Sequence, residues 1–475
     1  MNVLMDYGEM DALGLAEAVR RGETTLGALL DEAVLRAERH ADLGAIPLMQ
    51  VEAARARLGR LPDGPFRGVP FLLKDLGGEA REHPSDMGSK LFRGTRYARD
   101  SAVYERLAAA GLNTFGRTAA PENGIGPVTE AAAYGAPTRN PWDPSRTPGG
   151  SSGGSGAAVA ARIVPAAHGS DGGGSIRIPA SCCGVVGLKA SRARVPDGPY
   201  AGEGWGGMAI EGVLTHTVRD TAALMDVLSG PDLGAPYHPP PMRGTFAKAM
   251  EQEPGPLRVA LCDTRFDGSA IHPACAEAAR KAGRLLESLG HHVEAALPEA
   301  DHADMMDAWT DIVACGTANA IRARMERMGL SEPPVEGIAH GAMRHAETIS
   351  GADYIAALDR IHTYGRQMAA ALERCDVILS PTLAEPPARI GRFAHDREDY
   401  VDYRTGADGV FAYSPFCAAF NASGQPAMSL PLHMADGLPI GVHLAMRMGA
   451  DEALISLAAQ LERAAPWSHR RPAGV

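Results

Sequence analysis

No stretch of this sequence approaches the roughly 18 consecutive apolar residues of a membrane-spanning helix, and no block of lysine and arginine stands out. The first absence argues against a membrane protein. The second, with a formal net charge of −11, argues against nucleic acid as the main partner, because phosphate binding needs a basic face. Paired cysteine spacing is missing as well. Cys182, Cys183, Cys262, Cys275, Cys315, Cys375 and Cys417 form an odd set without a C-x-x-C. That excludes a disulfide framework or a zinc site and fits reduced thiols in a cytoplasmic protein, most of them small buried hydrophobes. The N-terminal MNVLMDYGEMDALG has no basic segment and carries acids early, so no signal peptide is expected. Internal repeats and low-complexity tracts are absent too.

What is present is ordinary for a globular chain: 475 residues, 45% hydrophobic and 22% charged. Length alone suggests about three domains. Residues 1–60 read as a helical segment. Leu13, Leu15, Ala16 and Val19 mark one apolar face, closed by Gly22, and Thr25 can cap a second helix carrying Leu26, Leu29, Leu30, Ala33, Val34 and Ala37. Further along, Leu257–Cys262, His272–Leu289 and HHVEAA form a β-α-β pattern. Residues 303–373 read as helical with a break at SEPPVEG, and Asp376–Pro381 as a buried strand. AMSLPLHM and GVHLAM read as a strand pair around Asp436–Gly437.

The stretch that organises the chain is Pro148–Pro179, PGGSSGGSGAAVAARIVPAAHGSDGGGSIRIP. Two Gly-rich loops, GGSSGG and DGGGS, each hold a serine. Glycine lets backbone N–H groups approach a ligand closely, and a serine flanked by such donors suits a nucleophile beside an oxyanion hole. Here the pattern predicts a helix over Ala157–Ala161, a short strand over Ile163–Ala167 limited by Pro165, and a helix starting at Ser175 with Pro179 in its first turn.

Upstream, Val69–Leu73 is a continuous apolar run like a buried strand, followed by Lys74 and Asp75. One reading is a salt-bridged lysine at a strand end. The other is a desolvated lysine with a depressed pKa, able to act as a base.

Familiar motifs fit less well. Gly202-x-Gly204-x-x-Gly207 does not join a strand to a helix in a βαβ unit, and GGSSGGSG lacks the lysine of a P-loop. Gly149–Gly153 matches the G-x-S-x-G nucleophile elbow, which would nominate His433 or His443 as base. No oxyanion-loop motif precedes it, and the second serine loop would have no role.

GVPFLLKD, PGGSSGGSGAA and SDGGGSIRIP together resemble the amidase signature family, and the spacing of Ser151 and Ser175 matches that family's pattern. Supporting matches run through GVVGLKASRARV, EGVLTHTVRD, NASGQPAMSLP, GLPIGVHLAM and LERAAPW. A looser resemblance is to amidases near the 6-aminohexanoate cyclic dimer hydrolases. The family implies a Ser–cis-Ser–Lys triad: Ser175 as nucleophile, Ser151 as the bridging serine after a cis peptide bond, and Lys74 as base. It also implies an oxyanion hole from the N–H groups of Gly172, Gly173, Gly174 and Ser175. Neutral Lys74 would draw a proton from Ser151, which draws one from Ser175. Departures from the family are Gly172, where a residue with a side chain, often Thr, is usual, Ala190 in place of a proline, and the GRTAAPEN loop. Gly172 is expected to loosen the loop or widen the site.

Asp171 and Arg177 are expected to pair and hold the loop, and Ser152 to stabilise its own loop. Cys315, Met305, Met306 and Trp309 are read as core in preference to a pocket wall. The resemblance implies an α/β architecture: one large mixed β-sheet flanked by helices on both faces, in a single domain over 1–475. Within it, 68–220 would be the catalytic core, 231–375 a variable lobe covering the site, and 376–475 the remaining core. The implied activity is hydrolysis of a small linear or cyclic amide, with carbamates and esters open to the same apparatus, through an acyl-serine and without cofactor or metal. The partner is a small-molecule amide, and the state monomer or homodimer. The rivals are an ammonia-releasing amidotransferase subunit of the same family, which serves a tRNA-bound substrate, and a Ser-His-Asp α/β-hydrolase.

Overall fold

The computed structural model describes residues 7–475. The expected lack of an export signal therefore rests partly on residues outside those described. Eleven strands make one sheet: β1 (Leu48–Met49), β2 (Pro70–Lys74), β3 (Asn113–Thr118), β4 (Ala166–Asp171), β5 (Val186–Lys189), β6 (Ile210–Thr215), β7 (Arg258–Leu261), β8 (His292–Ala295), β9 (Val377–Pro381), β10 (Ala427–Ala435) and β11 (Leu438–Met446). Their spatial order is β1-β3-β2-β4-β6-β5-β10-β11-β9-β7-β8. β2 is parallel to β3 and β4, and β7 to β8 and β9, while the middle of the sheet is antiparallel. The sheet is thus mixed. Every residue of β2, β3, β9 and β11 is buried, which requires cover on both faces, supplied by the helices.

The local signals explain the helices near the N-terminus. Asp11 and Thr25 cap the helices Ala12–Arg20 and Leu26–Arg39, accepting from Gly14 N and Ala28 N. The β-α-β pattern is present as β7, Pro273–Ser288 and β8, with β7 and β8 parallel. The helical region has two breaks, giving His302–Met328, Gly337–Glu347 and Gly351–Arg374.

Three local boundaries in the organising stretch differ from expectation. The first helix begins at Gly153, not Ala157. Its glycines are helical because they are packed too tightly for side chains: a Cβ on Gly154 would lie 2.4 Å from Ala119 N. β4 begins after Pro165, which has no N–H for the ladder, and runs on to Asp171. The next helix is Arg177–Cys183, so Ser175 stands in the turn before it.

Residues 231–375 do not all lie over the site. β7 and β8 extend the main sheet at its edge, with Val259–Leu261 opposite Val377–Leu379. It is the His302–Met328 helix that brings Trp309, Gly316 and Thr317 to the cavity described below.

The sheet brings together what the sequence separates. Leu72 in β2 pairs with Ala167 in β4. These parallel neighbours end at Lys74 and Asp171, so the base candidate and the second serine loop leave the sheet on the same side. Buried Arg117 in β3 fixes the exit of β2. Its Nη1 donates to the carbonyls of Lys74 (2.6 Å) and Gly77 (3.1 Å), and its Nη2 to those of Gly78 (3.1 Å) and His83 (2.9 Å). Arg117→Met leaves these buried carbonyls without a donor, each costing about 1–3 kcal/mol. The expected outcome is a clearly lower unfolding midpoint by calorimetry. Arg117→Lys recovers only part of it, because an ammonium lacks the planar fork that reaches four carbonyls.

Candidate active site

Lys74 is the last residue of β2 and has no solvent exposure. Its Nζ donates to Ser151 Oγ at 2.6 Å and to Ser170 Oγ at 2.9 Å. Burial drives its pKa down to about 7, with Glu211 and Asp171 pulling in the opposite direction. A lysine held there is part-neutral at ordinary pH, and a neutral amine accepts protons.

Ser151 follows a cis Gly150–Ser151 peptide bond. Neighbouring backbone leaves no room for side chains: a Cβ on Gly150 would sit 2.6 Å from Val128 N and O, and one on Gly149 2.9 Å from Pro179 Cα. The two serine loops are tied together. Ser152 N donates to Ser175 O at 3.1 Å, and Ser152 Oγ and the Ser170 backbone lie 3.3 Å apart. Ser152 therefore bridges the loops and does more than stabilise its own.

Asp171 organises the second loop. Its carboxylate takes Gly174 N (2.7 Å) and Ile176 N (3.1 Å), and pairs through both oxygens with Arg177 (2.9 Å each). Asn421 Nδ2 reaches the same carboxylate and the Asp171 carbonyl, both at 2.9 Å. Burial alone would raise this carboxyl, but the Arg177 charge and these donors hold it well below the usual carboxylate range. The expected pairing of Asp171 and Arg177 is present, wholly buried.

This network corrects one oxyanion candidate. Gly174 N is committed to Asp171, so it is not free to receive a developing oxyanion. The N–H groups of Gly172, Gly173 and Ser175 donate to no acceptor among the described residues. Ser175 lies outside the helix and gains donors from its turn, in place of a helix end.

Ser151 and Ser175 line one cavity of about 370 Å³, together with Leu76, Phe92, Asn123, Trp205 and Thr317. Glu79, Asp197 and Glu211 line it too. A second, narrow recess of about 20 Å³ meets Ser175 from the other side, lined by Trp309, Arg404 and Phe411. Trp205 belongs to both walls. A Cβ on Gly172 would lie 2.6 Å from the Trp205 ring, and one on Gly316 2.8 Å from it. The glycine at 172 thus leaves no void, since Trp205 occupies the space. Trp205 packs edge-on to Trp309 (5.9 Å, 77°), and Trp309 Nε1 donates to Gly172 O at 3.1 Å. Trp309 is therefore both core and loop support. Met305 is fully buried, while half-buried Cys315 and Met306 line neither space. The segment around Gly202, Gly204 and Gly207 is the loop that carries Trp205 across the cavity.

The nominated histidines are engaged elsewhere. His443 Nε2 lies 3.0 Å from Arg177 Nη1, and His433 pairs across the sheet with Ile440. Four groups near Lys74 escaped the sequence: Ser170, His168, Glu211 and Asn421. Only the first two lie inside the organising stretch, and no spacing ties Glu211 or Asn421 to it. Among the described residues no group of three or more His, Cys, Asp or Glu has the arrangement of a metal site.

A family model described as Amidase matches residues 29–455. The 6-aminohexanoate-cyclic-dimer hydrolase of Paenarthrobacter ureafaciens is 38% identical over 97% of this chain and 96% of its own. The solved structure of a 6-aminohexanoate cyclic dimer hydrolase complexed with substrate superposes with a TM-score of 0.92 at 36% identity, covering 98% of this chain and 99% of that one. A bacterial aryl acylamidase structure follows at a TM-score of 0.87 and 28% identity, covering 97% of each.

The Trp205–Gly172 contact makes a double substitution informative. Gly172→Thr forces a side chain into the ring, and overpacking of this kind typically costs about 1–3 kcal/mol. Turnover of an amide substrate is expected to fall about tenfold or more in Gly172→Thr. It recovers substantially in Gly172→Thr/Trp205→Ala, measured as kcat/KM for both proteins beside Trp205→Ala alone.

Proposed function

The chain belongs to the amidase signature family and is an enzyme that hydrolyses amide C–N bonds, and on that premise we propose Ser175 as its nucleophile, Ser151 as its proton relay and Lys74 as its base. The observation that carries the assignment is the 2.6 Å bond between buried Lys74 Nζ and Ser151 Oγ. In the reactive state neutral Lys74 takes the Ser151 proton, Ser151 takes the Ser175 proton, and Ser175 Oγ attacks the amide carbonyl. The oxyanion receives N–H donors from Gly172, Gly173 and Ser175, held by the Asp171 network. The proton then returns through Ser151 to the leaving nitrogen. Water enters by the same relay and releases the acid from Ser175.

The substrate is a small linear or cyclic amide, which the cavity of about 370 Å³ accommodates. The relative from Paenarthrobacter ureafaciens, by its name, acts on a cyclic dimer of 6-aminohexanoate. Carbamates and esters present the same acyl carbon to the same apparatus. Asn123 Nδ2, buried without a protein acceptor, lines the cavity and is available to the substrate carbonyl. The chain acts in the cytoplasm as a monomer or homodimer. Seven free cysteines support the compartment, and a triad drawn from one chain needs no partner subunit. The amidotransferase alternative is not favoured, since the relatives described match over nearly their whole length and are hydrolases.

Two measurements test the assignment. Ser175→Ala is expected to lower kcat on the order of 10⁶-fold, the scale of loss when a serine working as a unit with its base is removed. Mass spectrometry after fluorophosphonate treatment places the adduct on Ser175 in the wild type, and an adduct on Ser151 would reverse the two roles. The pH profile gives the second. Lys74 works only when neutral and its pKa lies at about 7, so kcat/KM is expected to fall tenfold per unit as pH drops below that value. Lys74→Met removes this activity at every pH.

A further inference from the structure

Lys74 does not sit alone at the end of β2. Its backbone N–H donates to His168 Nδ1 at 3.2 Å. Nδ1 is therefore the acceptor nitrogen, and the ring proton lies on Nε2, facing the Glu211 carboxylate with which it is hydrogen-bonded. His168 and Ser170 are two residues apart in β4 and project from one face. Ser170 stands directly opposite Glu211 in the antiparallel β4–β6 register, which puts such side chains about 5 Å apart at Cβ. Lys74 Nζ donates to that same Ser170 hydroxyl. One carboxylate is thus built into the sheet beside the amine, with no direct bond to it.

The charged groups around Lys74 are not equivalent. Asp171 is neutralised by its buried pairing with Arg177. The Asp75 carboxylate is taken up by Ser85, the Asp86 N–H and Tyr134. Glu79 and Asp197 line the cavity wall and raise each other's proton affinity. Arg117 spends its guanidinium on the carbonyls at the exit of β2. His168 is neutral, since burial and then the charges of Lys74 and Arg117 push its pKa down to about 3. Glu211, whose side chain is 15% exposed and whose hydrogen-bond partner is this neutral ring, is the carboxylate near Lys74 that no cation matches.

We propose that Glu211, held in place by His168, is the counter-charge that sets the pH at which Lys74 becomes available as a base. This rests on Lys74 acting as the base. Glu211 touches neither Ser151 nor Ser175 by a hydrogen bond and acts through Lys74, so it is a positioning residue. Burial expels the proton from Lys74, and the Glu211 charge draws it back. The balance leaves the amine neutral enough to accept the Ser151 proton, yet basic enough to keep it while Ser175 attacks.

The test is the pH profile of kcat/KM for a neutral amide, beside single-turnover acylation of Ser175 by a fluorophosphonate. Glu211→Gln keeps the size and hydrogen-bonding capacity of the side chain and removes its charge. Lys74 then loses its proton at lower pH, and the acid limb is expected to move down by about one pH unit or more. Glu211→Asp keeps the charge and holds the limb near its wild-type position. His168→Asn retains an acceptor for the Lys74 N–H but removes the donor to Glu211, and it moves the limb in the same direction as Glu211→Gln. That variant decides the matter should Glu211→Gln fail to fold. An acid limb unmoved in the folded variants, with activity lowered equally at every pH, overturns the role of Glu211 and leaves Lys74 as the base. Activity surviving in Lys74→Met overturns the assignment beneath it instead.

Discussion

A lysine amine taken out of water is the constraint on which the site depends. Lys74 Nζ is fully buried and donates to two serine hydroxyls. An ammonium there loses its hydration without gaining a bonded carboxylate, so the neutral amine is favoured and the group becomes a base. A buried amine works only if its surroundings are rigid, because a shift of the strand end would admit water or break the contact with Ser151. The rigidity comes from backbone contacts. β2 is paired on both sides, with β3 and β4, and Arg117 fastens the carbonyls where it leaves the sheet. The sheet therefore determines proton affinity as much as position.

A second buried charge does a different task. Asp171 and Arg177 neutralise one another inside the core. A buried pair of this kind adds little net stability over apolar residues of equal size. Its value here is directional. The carboxylate claims Gly174 N and Ile176 N, which turns the loop so that its remaining N–H groups stay unclaimed. Asn421, from the far end of the chain, closes the same network. Two charges in neighbouring positions thus have opposite consequences: Asp171 is matched and shapes the backbone, whereas Glu211 is unmatched and acts by its field on Lys74.

Much of this was legible in the sequence. The apolar run before Lys74, the glycines around Ser151 and the acid at the head of DGGGS each point to a backbone requirement that only a few residue types meet. The mixed sheet and the β-α-β unit at its edge follow from periodicity and from family resemblance. The misses have a common cause. Gly153–Gly156 look like a loop by propensity, but tight packing against Ala119 and Pro179 makes them helical. Gly174 looks like an oxyanion donor from its motif, and only the fold shows its N–H bound to Asp171. Glu211 and Asn421 are brought in by register and topology, which no local spacing records. Gly172 was read as an empty position because its occupant, Trp205, comes from a loop more than thirty residues later.

Trp205 also bears on how an amide must lie. An amide has two sides, and Ser175 stands where two unlike spaces meet. One is roomy, about 370 Å³, and bordered by carboxyl groups. The other is a recess of about 20 Å³ beside Arg404 and Phe411. The indole of Trp205 forms part of both walls, wedged between Gly172 and Gly316 and set edge-on against Trp309. Trp309 in turn holds the Gly172 carbonyl, so the partition and the oxyanion loop share one support. A group pressing on the partition therefore presses on the donors that stabilise the tetrahedral state. Selectivity for substrate shape and the rate of attack are coupled through the same pair of rings, and a bulky substituent on the narrow side is penalised in kcat as well as in binding.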